Sequence, residues 1–85
     1  MKEFHYVIKD QLGIHARPAG LLVKEAMKFQ AAIVIKKDEK EADAKRIFSV
    51  MGLGVKCADR VTVSADGSDE AEAIAALEAF FNANL

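Results

Sequence analysis

The stretch Gly13-Ile14-His15-Ala16-Arg17-Pro18 stands immediately before an apolar run with helical spacing. We therefore predict that a helix begins at Ala16 and that His15 is its N-cap. Pro18 then lies inside the first turn. A proline is tolerated there because the first N–H groups of a helix have no acceptor within it.

The same stretch has the chemistry of an anion site. The N–H groups of Ala16 and Arg17 are left free, and a free helix N-terminus beside a guanidinium is well suited to phosphate. His15 adds a nucleophilic nitrogen, so we infer a histidine that accepts a phosphoryl group and gives it away. A second interpretation stays open, in which His15 is only a cap or surface residue and Arg17 and Pro18 are ordinary helix residues.

Length and composition indicate one domain over residues 1–85 with a single modest core. Charged residues make up 29% of the chain and the net charge is −1, which lacks the basic excess of nucleic-acid-binding proteins. The single cysteine, Cys57, excludes an intrachain disulfide and is interpreted as a small core or loop residue. We see no signal peptide and no run of membrane-spanning length, and expect a soluble cytoplasmic protein.

Hydrophobic periodicity predicts the order βαββαβα. Strands are predicted where Phe4, Tyr6 and Ile8 alternate with polar residues, and over 31–36, 41–44 and 60–65, with a hairpin through 37–40. Helical spacing runs over 16–28, and Asp69 followed by Glu72 predicts a capping box that opens the last helix. His5 falls on the polar face of its strand. This order predicts an α+β two-layer sandwich, with an antiparallel sheet and helices on one face.

Residues 45–52 form a second informative segment, too short for a stable isolated helix. Its apolar residues are too many for all to point into a small core, and they are Ile47, Phe48, Val50 and Met51. Exposed contiguous apolar surface marks a docking site. The alternative is that the segment lies sideways and buries most of these side chains.

These motifs closely resemble the active-site signature of HPr, the histidine-containing phosphocarrier family of the bacterial sugar phosphotransferase system. The resemblance begins with Gly13 to Ala19 and covers essentially the whole chain, including residues 44–54 and the turn at 64–70. It implies an open-faced sandwich of four antiparallel strands and three helices. It also implies a macromolecular substrate of phosphotransferases rather than an enzyme. We expect no cofactor and no metal, because His5 and His15 are placed on different elements and no carboxylate or thiol cluster accompanies them.

In this family, enzyme I is charged from phosphoenolpyruvate and phosphorylates the active histidine, and HPr passes the group to enzyme IIA domains of sugar permeases. The resemblance implies that His15 is the acceptor through Nδ1, that Arg17 steadies the phosphoryl oxygens, and that Pro18 shapes the first turn. The positions that match the partner-docking face are Ile14, Gly20, Ile47, Phe48 and Met51. Regulatory proteins are further candidate partners. A carrier that presents one face to several partners is expected to be a monomer.

One position departs from the family pattern. Many relatives carry a serine at the start of the second helix that HPr kinase phosphorylates, and here that position is Arg46. We therefore expect no regulatory serine phosphorylation there, and Ser49 in the same segment is interpreted as an ordinary residue. Arg46 instead places a permanent cation beside the docking face, where we expect it to steer acidic partner surfaces.

Two alternatives to the sugar-uptake carrier remain open at this point. The first is a paralogous carrier in a nitrogen or regulatory branch, with the same His15 chemistry and different partners. The second is a binding module that uses its apolar face without any phosphotransfer. The presence of His15 together with Arg17 argues against the binding module, which would need neither residue.

Overall fold

The helices and strands of the computed structural model, which describes residues 1–85, follow the predicted order and confirm the α+β class. The strands are β1 (Lys2–Val7), β2 (Ala32–Lys37), β3 (Lys40–Asp43) and β4 (Arg60–Asp66). The helices are α1 (Ala16–Ala26), α2 (Ile47–Gly52) and α3 (Glu70–Asn84). None of these helices has the length and apolar character needed to cross a membrane.

The four strands form one antiparallel sheet in the order β1-β4-β2-β3. A row of directly opposed residues crosses all four strands, namely Phe4, Val63, Ile35 and Ala42, and all four are buried. Because opposed residues share a face of the sheet, this face is the one covered by the helices. His5 lies on the open face, as predicted, with its Nδ1 atom 2.8 Å from Thr62 Oγ1.

The core lies between this buried face and the apolar stripes of α1 and α3. The buried helix residues are Ala19, Leu22 and Ala26 of α1 and Ala73, Leu77 and Phe81 of α3. The ring of Phe81 packs edge-to-face on Phe4 and Tyr6, with centroid distances of 5.5 and 5.4 Å. Three stripe residues are only partly buried, namely Val23, Ile74 and Phe80. Cys57 is an exposed loop residue.

The predicted capping box at the start of α3 is wrong. Asp69 is the N-cap, but its side chain makes no capping hydrogen bond. Its carboxylate instead accepts the main-chain N–H groups of Gln30 and Ala31, each at 2.8 Å. The carboxylate therefore ties the start of α3 to the loop between α1 and β2, and Glu72 takes no part. These hydrogen bonds, that from Gln30 above all, hold the pKa of Asp69 below its ordinary value of 3.8.

Replacing Asp69 by asparagine is expected to destabilise the fold and to weaken its acid sensitivity. A carboxylate with a lowered folded-state pKa contributes stability that is present above its ordinary pKa of 3.8 and is lost as the pH falls through the folded value. Urea unfolding at a series of pH values below 5 measures this loss. Glu78→Gln, which removes a charge from α3 without removing a side-chain hydrogen bond, is the control. Equal acid sensitivity of wild type and Asp69→Asn would contradict the assignment.

Candidate functional site

His15 is the N-cap of α1, as the sequence predicts. Its backbone is extended (φ −93°, ψ −174°), and its carbonyl accepts the N–H of Ala19 at 2.9 Å. Its side chain makes no capping hydrogen bond, so neither imidazole nitrogen is bonded to a main-chain N–H of α1. The N–H groups of Ala16 and Arg17 have no acceptor in the protein, and Pro18 has no N–H to offer. The helix thus begins with free donors next to an imidazole.

The loop before His15 is held tightly against residues 55 and 56. Gly13 has a φ of +68°, and a Cβ atom there would overlap the carbonyl oxygen of Val55 and lie 2.7 Å from Lys56 Cα. The next residue, Ile14, donates its N–H to the same Val55 carbonyl at 3.1 Å. Only glycine combines this backbone conformation with so close an approach. The position of the His15 backbone is therefore fixed by the contact of residues 13 and 14 with residues 55 and 56.

The imidazole faces an open depression at the start of α1. Its lining residues are Asp10, His15, Arg17, Pro18, Leu21 and Asn84. The side chain of His15 is 37% exposed, and its Nε2 atom lies 3.9 Å from Asp10 Oδ1. A reachable imidazole nitrogen, a guanidinium and free helix donors can together hold a tetrahedral oxyanion beside the ring.

The structure brings some of the predicted site residues together in this depression and leaves others outside it. His15 and Arg17 both line it, and Arg17 is exposed. Pro18 is buried in the first turn of α1, and Ala16 is exposed.

Three apolar residues of α2 form a surface that we name the α2 patch, consisting of Ile47, Phe48 and Met51. Phe48 is 86% exposed and Met51 40%, whereas Ile47 is partly buried. The patch adjoins α1 at Gly20, where a Cβ atom would lie 3.8 Å from Ile47 Cδ1. Val50 is fully buried and Ile47 packs against the core, so Phe48 and Met51 are the apolar side chains that α2 exposes to solvent.

The expectation that Ile14 belongs to a docking face needs correction. Its side chain is only 5% exposed and is part of the core. The hydrogen bond from its N–H to Val55 turns this part of the loop inward. The Ile14 side chain therefore packs in the core next to His15 and is too buried to contact a partner.

Arg46 and Ser49 both lie on the solvent side of α2. Arg46 is the N-cap of this helix, and its side chain is 77% exposed. Its Nε atom lies 3.8 Å from Asp43 Oδ2, a loose contact between exposed groups. Ser49 is exposed as well.

Sequence reasoning missed Asp10, Leu21 and Asn84 as lining residues of the depression. Asp10 had a signal, because aspartate followed three residues later by glycine is typical of a turn. Its Oδ1 atom accepts the N–H of Leu12 at 2.9 Å, and its carbonyl accepts that of Gly13 at 3.0 Å. Asn84 had none, since only the docking of α3 brings the end of the chain to the start of α1.

Comparison with known proteins gives a consistent result. The family model described as PTS HPr component phosphorylation site matches residues 2–83. A phosphocarrier protein HPr from Mycoplasma genitalium is 45% identical over 85 residues, covering 99% of this chain and 97% of the relative. The crystal structure of HPr-C-His from Thermoanaerobacter tengcongensis is 46% identical, with a TM-score of 0.93, and the alignment covers 98% of this chain and 93% of that one.

A crystal structure of an HPr dimer from Thermoanaerobacter tengcongensis also aligns, with a TM-score of 0.78 and 46% identity over 98% of this chain and 95% of that one. The family model spans nearly the whole sequence, and the relatives match it along almost their full length. The chain therefore belongs to the PTS HPr family and is a phosphocarrier protein rather than an enzyme.

Proposed function

We propose that the chain accepts a phosphoryl group on His15 Nδ1 from enzyme I, charged by phosphoenolpyruvate, and passes it to enzyme IIA domains of sugar permeases. The observation that carries this proposal is the exposed imidazole beside the free N–H groups of Ala16 and Arg17. A closed pocket would exclude the large donor and acceptor proteins, whereas an open depression at a helix start admits them.

In the proposed transfer, the Nδ1 lone pair attacks phosphorus while the bond from phosphorus to the donor breaks. The phosphoryl oxygens then lie beside the start of α1. The N–H groups of Ala16 and Arg17 and the Arg17 guanidinium offset their charge there through charge-assisted hydrogen bonds. Onward transfer to a IIA domain is the same step in reverse, so this stabilisation must be moderate. An exposed site screened by water meets that requirement.

We further propose that partners dock on the α2 patch next to the depression. Phe48 leaves most of its surface in water, although the chain has enough apolar residues to build its core without it. An apolar surface of this kind is typical of protein–protein contact. Gly20 adds no side chain between α1 and the patch, which lets a partner surface approach closely.

Intact-mass spectrometry after incubation with enzyme I and phosphoenolpyruvate tests the proposed function. We expect the mass to rise by one phosphoryl group and to return to its original value after mild acid treatment, because phosphohistidine is acid-labile. A protein that stays unmodified would favour a binding module. Transfer onward to sugar-specific IIA domains, but not to IIA domains of a nitrogen branch, is expected, and the opposite preference would assign the chain to that branch.

A monomer is the form we propose for this carrier, since each partner needs free access to one face. Sedimentation equilibrium at micromolar concentration measures this directly. A dimer would contradict the proposal and would agree with the dimeric HPr of Thermoanaerobacter tengcongensis.

Replacing Arg46 by serine is expected to slow association with acidic partners by about twofold to tenfold at low salt. The side chain is 77% exposed and only loosely held by Asp43, so its positive charge is available to an approaching protein. Stopped-flow transfer rates at low and high salt measure the effect, which should vanish at high salt. Arg60→Ser removes the same charge from β4, away from α2, and is the matched control. Equal rates for wild type and Arg46→Ser at both salt concentrations would refute steering by Arg46.

A further inference from the structure

We propose that Asp10 is a positioning residue for His15, an inference that rests on the proposed phosphotransfer. Its carboxylate holds the Nε2–H of the imidazole, which leaves the Nδ1 lone pair free to attack phosphorus. It also offsets the positive charge that the ring acquires when the bond from Nδ1 to phosphorus forms. Neither role is among those that the family resemblance implies for His15, Arg17 and Pro18.

The carboxylate of Asp10 is fixed by the chain around it. The N–H of Asp10 donates to the carbonyl of Leu85 at 3.0 Å, and its Oδ1 accepts the N–H of Leu12 at 2.9 Å. The carbonyl of the same residue accepts the N–H of Gly13 at 3.0 Å, which closes the turn. These hydrogen bonds fix the orientation of the Asp10 side chain, which is 31% exposed and points toward the ring of His15.

The ring of His15 meets this carboxylate through one particular nitrogen. Nε2 lies 3.9 Å from Asp10 Oδ1. This separation exceeds a direct hydrogen bond, and a small rotation of the ring or one bridging water closes it. Such contacts in free proteins commonly tighten once the reacting partner is bound.

The tautomer of a neutral imidazole is set by the hydrogen bond of one nitrogen, which leaves the lone pair on the other. A carboxylate can only accept from Nε2–H, so it favours the tautomer with a free Nδ1 lone pair. Attack by Nδ1 then produces a phosphorylated ring that still carries the Nε2 proton and is cationic. No proton has to leave, and the Asp10 carboxylate balances the new charge, as a buried aspartate does for the imidazolium of a catalytic triad.

The charged side chains that line the depression with His15 are Asp10 and Arg17, and Asn84 of α3 is uncharged. The main-chain oxygen of Leu85 accepts the N–H groups of Lys9 and Asp10. Asp10 is therefore the one carboxylate side chain that lines the depression with His15.

Asp10→Asn tests the proposal, because asparagine keeps an oxygen for the Leu12 N–H and removes the charge. Asp66→Asn, at the far end of β4, is the matched control. Phosphoramidate serves as a small chemical donor, so that the test does not depend on enzyme I. The readouts are the ¹⁵N shifts of both ring nitrogens before phosphorylation, and the pH midpoint of ring protonation afterwards, followed by ³¹P NMR.

In Asp10→Asn we expect the pH midpoint for protonation of the phosphorylated His15 ring to fall by about half to one pH unit. Before phosphorylation, we expect the Nε2–H tautomer of the neutral ring to be less populated than in the wild type. Asp10→Glu restores the charge, and its pH midpoint is expected to lie close to that of the wild type. Asp66→Asn is expected to leave the midpoint unchanged. An unchanged midpoint and unchanged ¹⁵N shifts in Asp10→Asn, or phosphorylation of the wild type at Nε2, would overturn the role of Asp10. Failure of enzyme I to phosphorylate the wild type would instead remove the proposed function and leave these measurements valid.

Discussion

His15→Ala is expected to abolish phosphorylation by enzyme I, and the intact mass should not change after incubation with phosphoenolpyruvate. His15 supplies the only imidazole beside the free N–H groups of Ala16 and Arg17. The other histidine of the chain, His5, lies on the open face of the sheet with its Nδ1 atom against Thr62. It has no helix N-terminus next to it, so it cannot replace the lost nucleophile.

His5→Ala is the matched control and should be phosphorylated as fully as the wild type. Thermal unfolding of His15→Ala should stay close to that of the wild type, to within about 0.5 kcal/mol, because the lost side chain caps nothing. A phosphorylated His15→Ala protein would contradict His15 as the acceptor, and an unphosphorylated His5→Ala protein with an intact fold would assign the acceptor to His5.

Gly13→Ala should be among the most destabilising single-methyl changes in the chain, lowering the free energy of unfolding by about 2–5 kcal/mol. Two costs add at this position. The backbone conformation with φ of +68° is unfavourable for alanine, and the new Cβ would overlap the main chain at Val55. Since that main chain also accepts the N–H of Ile14, the loop has to move away and take His15 with it.

Gly54→Ala separates these two costs. Gly54 has nearly the same φ, +64°, but a Cβ atom there would meet nothing within 4 Å. We therefore expect Gly54→Ala to lower the free energy of unfolding by only about 1–2 kcal/mol, which is the cost of the backbone conformation without the clash. Urea unfolding of both variants measures the difference, and the phosphorylation rate should fall in Gly13→Ala only. Equal losses of stability in the two variants would show that the contact with Val55 is not tight.

Much of the fold could be predicted because its signals are local. The alternation around Phe4 and the helical spacing after Ala16 depend only on neighbours in the sequence, and both were confirmed. The hairpin between β2 and β3 was also predicted, and Lys37 pairs with Lys40 across its turn. Hydrophobic periodicity over a few residues predicts the type of element, because a helix or strand with one apolar face can bury that face in the core.

Contacts between distant segments could not be predicted in the same way. Asp69 has the sequence context of a helix cap, yet its carboxylate accepts the N–H groups of Gln30 and Ala31, which folding brings to 2.8 Å from its oxygens. Ile14 has the position of a docking residue, yet its main-chain hydrogen bond to Val55 turns it into the core. In both cases a tertiary hydrogen bond overrides the local pattern.

For the proposed phosphoryl group on His15, the openness of the depression also limits how long the group can be kept there. A site that admits a partner protein admits water, and water competes as an acceptor whenever no partner is bound. Tighter enclosure would lengthen the life of the phosphorylated form but would also block delivery. A carrier with so open a site has to meet an acceptor protein before water removes the phosphoryl group. The yield of delivery therefore depends on the abundance of acceptor proteins as much as on the rate of hydrolysis.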